Sequence, residues 1–292
     1  LCSLGGSMSF TEIIKKGNYF YLKYTFREGK KVKSKELYLG KSIPQDIEKI
    51  KDKFLRDQKE ELYKKVEQIK ENFQKEWKKL PKSIQEKELQ QIAIAFTYNT
   101  NAIEGSTITL EETREIIEDQ VAPNKPLKEI KETEAHVRVF LNMLQKKEKI
   151  TNELVLQWHK EIFQETKKDI AGKYREYLVR VGKYRAPDWQ EVKSLMNTLL
   201  KNITTKEKNA VEHAARIHYQ FEKIHPFGDG NGRIGRLIMN YMLWHAGYPM
   251  LIIEYKKRKS YYQALTKEEE GFEKYFMRRY LAVHKKSSTQ TI

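Results

Sequence analysis

From His225 to Arg236 the chain reads His-Pro-Phe-Gly-Asp-Gly-Asn-Gly-Arg-Ile-Gly-Arg, which gathers a histidine, a carboxylate, closely spaced glycines and two arginines. Directly after the loop, Ile234, Leu237, Ile238, Tyr241 and Met242 fall at helical spacing, so it opens a buried helix whose free N–H groups face back into it. Such a helix start is an anion site. Gly228, Gly230 and Gly232 let backbone amides approach a phosphate without a Cβ in the way, and Arg233 and Arg236 reach the same polyphosphate from one side of the helix. Asp229 suits a Mg2+ ligand, because a hard cation beside phosphates takes one carboxylate plus phosphate oxygens. His225 is a neutral base near pH 7, placed to take a proton from an attacking hydroxyl. Asp-Gly and Asn-Gly also mark ordinary turns, but the base, the acid, the glycines and the arginines together fit one nucleotide geometry.

The segment resembles the signature of the Fic family, His-x-Phe-x-(Asp/Glu)-Gly-Asn-Gly-Arg-x-x-Arg, at every defined position. The likeness continues upstream through Glu212 to His225 and in Gly172-Lys173-Tyr174-Arg175, and downstream in Asn240, Gly247-Tyr248-Pro249 and Tyr261-Tyr262. What the resemblance implies is a helical fold with one small hairpin, and transfer of AMP from ATP to a Ser, Thr or Tyr hydroxyl of a protein target, this chain itself included. It assigns the base to His225, the Mg2+ ligand to Asp229, the anion hole to Gly230, Asn231 and Gly232, phosphate contacts to Arg233 and the γ-phosphate to Arg236, with Phe227 anchoring the loop. The related Doc-type kinases carry a lysine where this chain has Gly232, which favours nucleotidyl over phosphoryl transfer. Tyr177, Leu178, Val179, Arg180 and Val181 fall in the family's target-binding flap, where a peptide is held by adding it as a strand.

Upstream, Glu104-Gly105 ends a helical pattern and by itself reads as a solvated acid before a Gly cap. Beside the signature, however, Thr100-Asn101-Ala102-Ile103-Glu104-Gly105 resembles the family's inhibitory motif (Ser/Thr)-x-x-x-Glu-(Gly/Asn). The resemblance implies that Glu104 pairs with Arg236 and denies the γ-phosphate its cation. It further allows Glu104 to orient a water for removal of AMP from modified targets. Family members of this kind often dimerise, so a homodimer is an expectation.

The elements that must position these residues are mainly helical. Periodicity predicts helices near 83–104, 110–119, 127–146, 151–165, 188–203, 207–224, 232–246 and 259–282, with a hairpin at Tyr174 to Tyr184. A long apolar stripe from Ile47 to Leu80, ended by Pro81, predicts a helix that either lies on the rest of the protein or serves as a self-associating arm. Before it, alternation from Gly17 to Lys41 predicts a basic β-hairpin or small meander with a turn at Arg27–Lys30. The division expected is a β module over 8–43, a linker helix over 44–81, a helical Fic domain over 82–282 and a tail over 283–292. Residues 1–7 lack a charged n-region and read as a cloning remnant rather than a signal peptide.

Composition bounds the rest. The 292 residues carry 56 Lys plus Arg against 40 Asp plus Glu, a net charge of +16 that favours polyanionic partners. A competing function, nucleic-acid binding, would use Tyr19, Tyr21, Lys23, Lys30, Lys31, Lys33 and Lys35 within residues 17–41, although a solvated basic hairpin explains them more simply. With Cys2 the sole cysteine, an intramolecular disulfide is excluded. The most apolar stretch, Leu237 to Ile253, is broken by Asn240, His245, Gly247 and Pro249, so no bilayer span and a cytoplasmic location are expected. His213, His218 and His245 lack metal-ligand spacing, and His218 shares an apolar stripe with Ala214, Ile217 and Phe221, where a hydrogen-bonded core histidine is expected.

Overall fold

In the computed structural model, which describes residues 10–28, 31–205 and 207–284, the chain divides within one helix into two compact units, up to Gln68 and from Ile69 onward. The expectations for residues 1–7, for the tip of the Arg27–Lys30 turn and for the end of the tail lie outside the described residues.

In the first unit the alternating residues form an antiparallel meander, β1 (Phe10–Lys16), β2 (Tyr19–Glu28) and β3 (Lys31–Gly40), in that spatial order. Strand β1 was not expected, because its central Ile13-Ile14 pair interrupts the alternation that announces β2. Gly17, at φ 59°, supplies the left-handed turn that joins the two strands. The register slips at Phe20/Tyr21, where Tyr21 faces Tyr38 but Phe20 faces Gly40, leaving Leu39 as the extra residue of a bulge. One face carries Leu22, fully buried, and Tyr24, whose ring meets Phe54 of the following helix edge-on at 6.4 Å. The other carries a cluster of Tyr19, Tyr21 and Tyr38 with ring centroids 5.4–5.7 Å apart. Lys23 lies on the Tyr21 face, whereas Lys35 lies on the helix face and pairs with Glu61, so the basic residues do not form one surface.

Helix α1 (Ile47–Lys79) runs on into the second unit, where Phe73 stacks on Trp77 and both rings meet Trp244. It stops before Pro81, and the Gln85 side chain donates to the Trp77 and Leu80 carbonyls at the helix end. The remainder is helical: α2 (Lys82–Ile103), α3 (Leu110–Arg114) continuing as a π turn over Glu115–Asp119, α4 (Leu127–Gln145), α5 (Asn152–Phe163), α6 (Trp189–Ile203), α7 (Ala210–Ile224) and α8 (Asn231–His245). Strands β4 (Arg180–Val181) and β5 (Tyr184–Arg185) make a hairpin far shorter than the Tyr174–Tyr184 alternation suggests.

Where one helix over 259–282 was expected, there are two, α9 (Arg258–Leu265) and α10 (Glu269–His284). The break lets the Lys267 carbonyl accept from Tyr219, and it re-aims Phe272 and Phe276 into the core. Helix α8 sits at the centre of the unit, and even its Asn231, Arg233, Arg236 and Asn240 are buried. Ile234, Leu237 and Ile238 of α8 pack with Phe221 and Ile224 of α7 in the main core, and Phe96 of α2 stacks on Phe140 of α4 at 4.6 Å. Among the described residues no helix is long and apolar enough to cross a membrane.

Candidate active site

The loop between α7 and α8 is built by its own sequence. Helix α7 ends on His225 in the left-handed region at φ 50°, a conformation that a non-glycine residue keeps only when its surroundings hold it. Arg175 does the holding: its Nε donates to the His225 carbonyl at 2.8 Å and its backbone N–H donates to the Pro226 carbonyl at 2.9 Å. The loop then closes on itself, since the Asn231 side chain accepts from the Phe227 N–H and donates to the Phe227 carbonyl, both at 2.8 Å. Phe227 is fully buried and lies flat on the His159 ring at 3.9 Å. Gly230, at φ 80°, begins α8, and a Cβ there would lie 2.4 Å from the Phe163 ring.

The first turn of α8 therefore presents the N–H groups of Asn231, Gly232 and Arg233 ahead of the first intrahelical bond, which runs from Ile234 to Gly230. A carboxylate already lies against this turn. A Cβ on Gly232 would sit 2.1 Å from Glu104 Oε1 and 2.8 Å from Arg236 Nη1, so a larger residue there would force the ends of both side chains to shift. Glu104 caps the end of α2, and its Oε1 accepts from Arg236 Nη2 at 2.6 Å. Arg236 also donates to the hydroxyl and the carbonyl of Thr100, one turn earlier on α2. Burial works against the Arg236 charge, but Glu104, Tyr261 and Glu222 more than offset it and raise the affinity for the proton.

Around the loop mouth, charges alternate. Asp229 Oδ2 lies 2.9 Å from Lys167 Nζ, and Lys167 lies 2.9 Å from Glu132 Oε1. Glu132 pairs through its other oxygen with Arg233, whose Nη2 lies 3.6 Å from Asp229 Oδ1. Burial would raise the Asp229 pKa, but Arg233, Lys167 and the Gly230 N–H outweigh it and hold the carboxyl ionised below its ordinary value. An ionised carboxylate with 46% of its side chain exposed can give a divalent cation one oxygen ligand, the others being phosphate oxygens or waters, while the open helix amides suit the phosphates themselves. His225 is held below the ordinary histidine value by burial, against the opposing pull of the Glu222 carbonyl and of Glu104, so its ring is neutral near pH 7.

The flap borders the same loop. Tyr177, Leu178 and Val181 are 49%, 56% and 44% exposed, so apolar surface lies open beside the loop. Val179 accepts from the Ala186 N–H, which closes the base of the hairpin that holds Arg180 and Val181. The Tyr177 hydroxyl hangs over Gly228, where a Cβ would lie 2.2 Å away. Arg175 ties the two ends of the flap, donating to the carbonyls of Tyr177 at 2.8 Å and Pro187 at 2.7 Å.

The chain thus places His225, Gly228, Asp229, Gly230, Asn231, Gly232, Arg233 and Arg236 along one loop and the first turn of α8, with Glu104 paired to Arg236 and the Asn231 amide turned to the loop itself rather than outward. The histidines set aside as non-ligands have other partners: His218 meets the Tyr261 hydroxyl at 2.8 Å, His213 the Asn202 carbonyl and His245 the Met143 carbonyl. Sequence reasoning overlooked Glu132, His159 and Lys167 as parts of the site, and it gave Arg175 and Glu222 no role beyond lying in segments that resemble the family. Two of them left a trace, because Glu132 and His159 stand on the apolar stripes of α4 and α5, where a charged or polar residue needs a buried partner. Lys167 lies in a turn and left none.

A buried helix thus opens from a glycine loop beside a histidine, an aspartate and two arginines, within a mainly helical fold. Residues 149–243 match the sequence model of the Fic/DOC family, and the chain carries a domain of that family. It is 36% identical over 189 residues to protein adenylyltransferase Fic of Nematostella vectensis, covering 62% of this chain and 44% of that protein. It is 33% identical over 206 residues to protein adenylyltransferase fic-1 of Caenorhabditis elegans, covering 67% of this chain and 40% of that one. The chain therefore spans less than half the length of these curated relatives. In three dimensions it resembles Fic-1 (residues 134–508) from C. elegans with a TM-score of 0.68 at 23% identity, over 83% of this chain and 76% of that one. A Fic-domain signalling protein from Bacteroides thetaiotaomicron gives 0.65 at 22%, over 77% and 96%. At such identities the likeness speaks to the fold.

Proposed function

We propose that this chain is a protein adenylyltransferase that moves AMP from ATP to a hydroxyl side chain of a protein target and is held in check by Glu104. The observation that carries the reading is the Glu104–Arg236 pair at 2.6 Å over the first turn of α8, an internal carboxylate seated where a phosphate would go. The names of the curated relatives support the transferase chemistry, and the signature loop supports the assignment of roles.

In this reading the amides of Gly232 and Arg233 hold polyphosphate oxygens, and Arg233 and Arg236 add charge. Asp229 would hold Mg2+, whose charge offsets that on the polyphosphate. His225 Nδ1 is enclosed, so Nε2 receives the proton of the target hydroxyl as it attacks the α-phosphorus and pyrophosphate leaves. General base catalysis of this kind contributes roughly 10²–10⁴-fold. The flap presents exposed backbone at Arg180–Val181, to which an extended target segment can add as a strand. Glu104 acts on Arg236 by removing a charge-assisted contact from the γ-phosphate and adding a repulsion.

The test is intact mass after incubation with ATP and Mg2+ for the wild type, Glu104→Gly, and Glu104→Gly combined with His225→Ala. An AMP-sized gain is expected in Glu104→Gly alone. No gain in Glu104→Gly, with nucleotide binding intact and protein targets added, would refute the transferase reading; equal gain in the wild type would refute the brake.

A further inference from the structure

The four charges at the loop mouth form a closed ring, Asp229–Lys167–Glu132–Arg233, in which the inner pair is buried and the outer pair is open. Side-chain exposure is 6% for Arg233 and 9% for Glu132, against 26% for Lys167 and 46% for Asp229. Glu132 is anchored from several sides, since Oε1 accepts from the Thr166 hydroxyl at 2.9 Å as well as from Lys167, and Oε2 accepts from Arg233. Lys167 lies in the turn after α5, with its backbone N–H bonded to the Phe163 carbonyl at 2.7 Å and its ammonium 4.8 Å over the Phe163 ring. It is one side chain with two carboxylates to choose between.

A divalent cation on Asp229 would lie about 2 Å from the carboxylate oxygen, and an ammonium 2.9 Å from the same oxygen then faces a double positive charge at close range. Both cannot stay. Glu132, which already holds Lys167 at 2.9 Å, offers the place to which the ammonium retires.

We infer that Lys167 is a tethered counter-ion of the metal site, holding Asp229 when no metal is bound and yielding to the metal by withdrawing onto Glu132. The inference rests on the reading of Asp229 as the carboxylate that holds the divalent cation. Its consequence is that metal entry works against a resident positive charge, so the divalent concentration needed is set by Lys167 as well as by Asp229.

The test measures Mn2+ affinity of the full chain by the enhancement of water-proton relaxation over a nucleotide-only control, with α,β-methylene ATP present, for the wild type, Lys167→Met, Lys167→Arg and Asp229→Asn. Removing an exposed competing ion pair is expected to tighten Mn2+ binding by roughly two- to fivefold in Lys167→Met, with Lys167→Arg near the wild type. Equal or weaker binding in Lys167→Met, while Asp229→Asn loses the metal, overturns the Lys167 inference and leaves the reading of Asp229 standing. Unchanged binding in Asp229→Asn overturns both. The same nucleotide in EDTA checks the rival role: if Lys167→Met weakens metal-free binding several-fold, Lys167 is a phosphate contact rather than a counter-ion. Matching circular dichroism of Lys167→Arg and Lys167→Met separates these outcomes from misfolding.

Discussion

At the scale of single residues, the site is a set of paired charges, some buried and some open to water. Glu222 shows how finely this is balanced. Its Oε1 is buried without a hydrogen-bond partner among the described residues and lies 3.0 Å from where a Cβ on Gly235 would be. Burial pushes its pKa up to about 7, opposed by Arg236 and assisted by Glu104. The folded state thus keeps a proton that the unfolded chain releases near 4.5, so this group's contribution to stability declines as pH rises from 4.5 toward 7. The wild type alone would conceal the effect, because His159, lowered to about 4 by burial, works in the opposite direction over much of the same range. Glu222→Gln isolates it: the stability difference between variant and wild type, from urea melts at pH 5 to 8, should grow with pH by at most about 3 kcal/mol. A difference that stays flat with pH would show that Glu222 is ionised throughout.

At the scale of elements, the loop after α7 was legible because its residues are contiguous: a glycine string before an apolar period announces a helix start, and the arginine spacing follows from it. Glu104 was legible only by resemblance, since by itself it is a helix end. What the chain order hides is convergence. Arg175 lies 50 residues from His225 in sequence yet clamps its carbonyl, and the same guanidinium holds both ends of the flap. The resemblance placed Arg175 at the start of the flap, but no periodicity marks a residue in a turn, so its carbonyl partners appear only in the tertiary structure. A lysine at 175 keeps the charge but not the planar fork that reaches the carbonyls of His225, Tyr177 and Pro187 together. In the Glu104→Gly background, Arg175→Lys is expected to slow AMP transfer roughly tenfold by displacing His225 and the flap, while leaving affinity for an ATP analogue within about twofold. An equal fall in both would mean that Arg175 supports the whole pocket rather than the acceptor side of it.

At the scale of the molecule, the two compact units meet the sequence reading in an unexpected place, inside the long helix rather than at its ends. Helix α1 gives Phe54 to one unit and Phe73 and Trp77 to the other. A stripe shows only that a helix buries one side; it does not say that successive turns bury it in different cores. Every residue of the candidate site lies beyond Ile69. A chain of residues 69–292 should therefore bind an ATP analogue as the full protein does. Starting at residue 82 instead removes Phe73 and Trp77 from Trp244, and also the Gln74 side chain that donates to the Gly247 carbonyl at 3.1 Å. Losing a large aromatic from such a cluster costs about 3 kcal/mol, which in a domain of this size lowers Tm by roughly 6–12 °C. Calorimetry on the two shortened chains compares them directly: equal Tm values would mean that the second half of α1 only rests on the catalytic unit, and a lower Tm for the shorter chain with nucleotide affinity retained would make that half-helix part of its core.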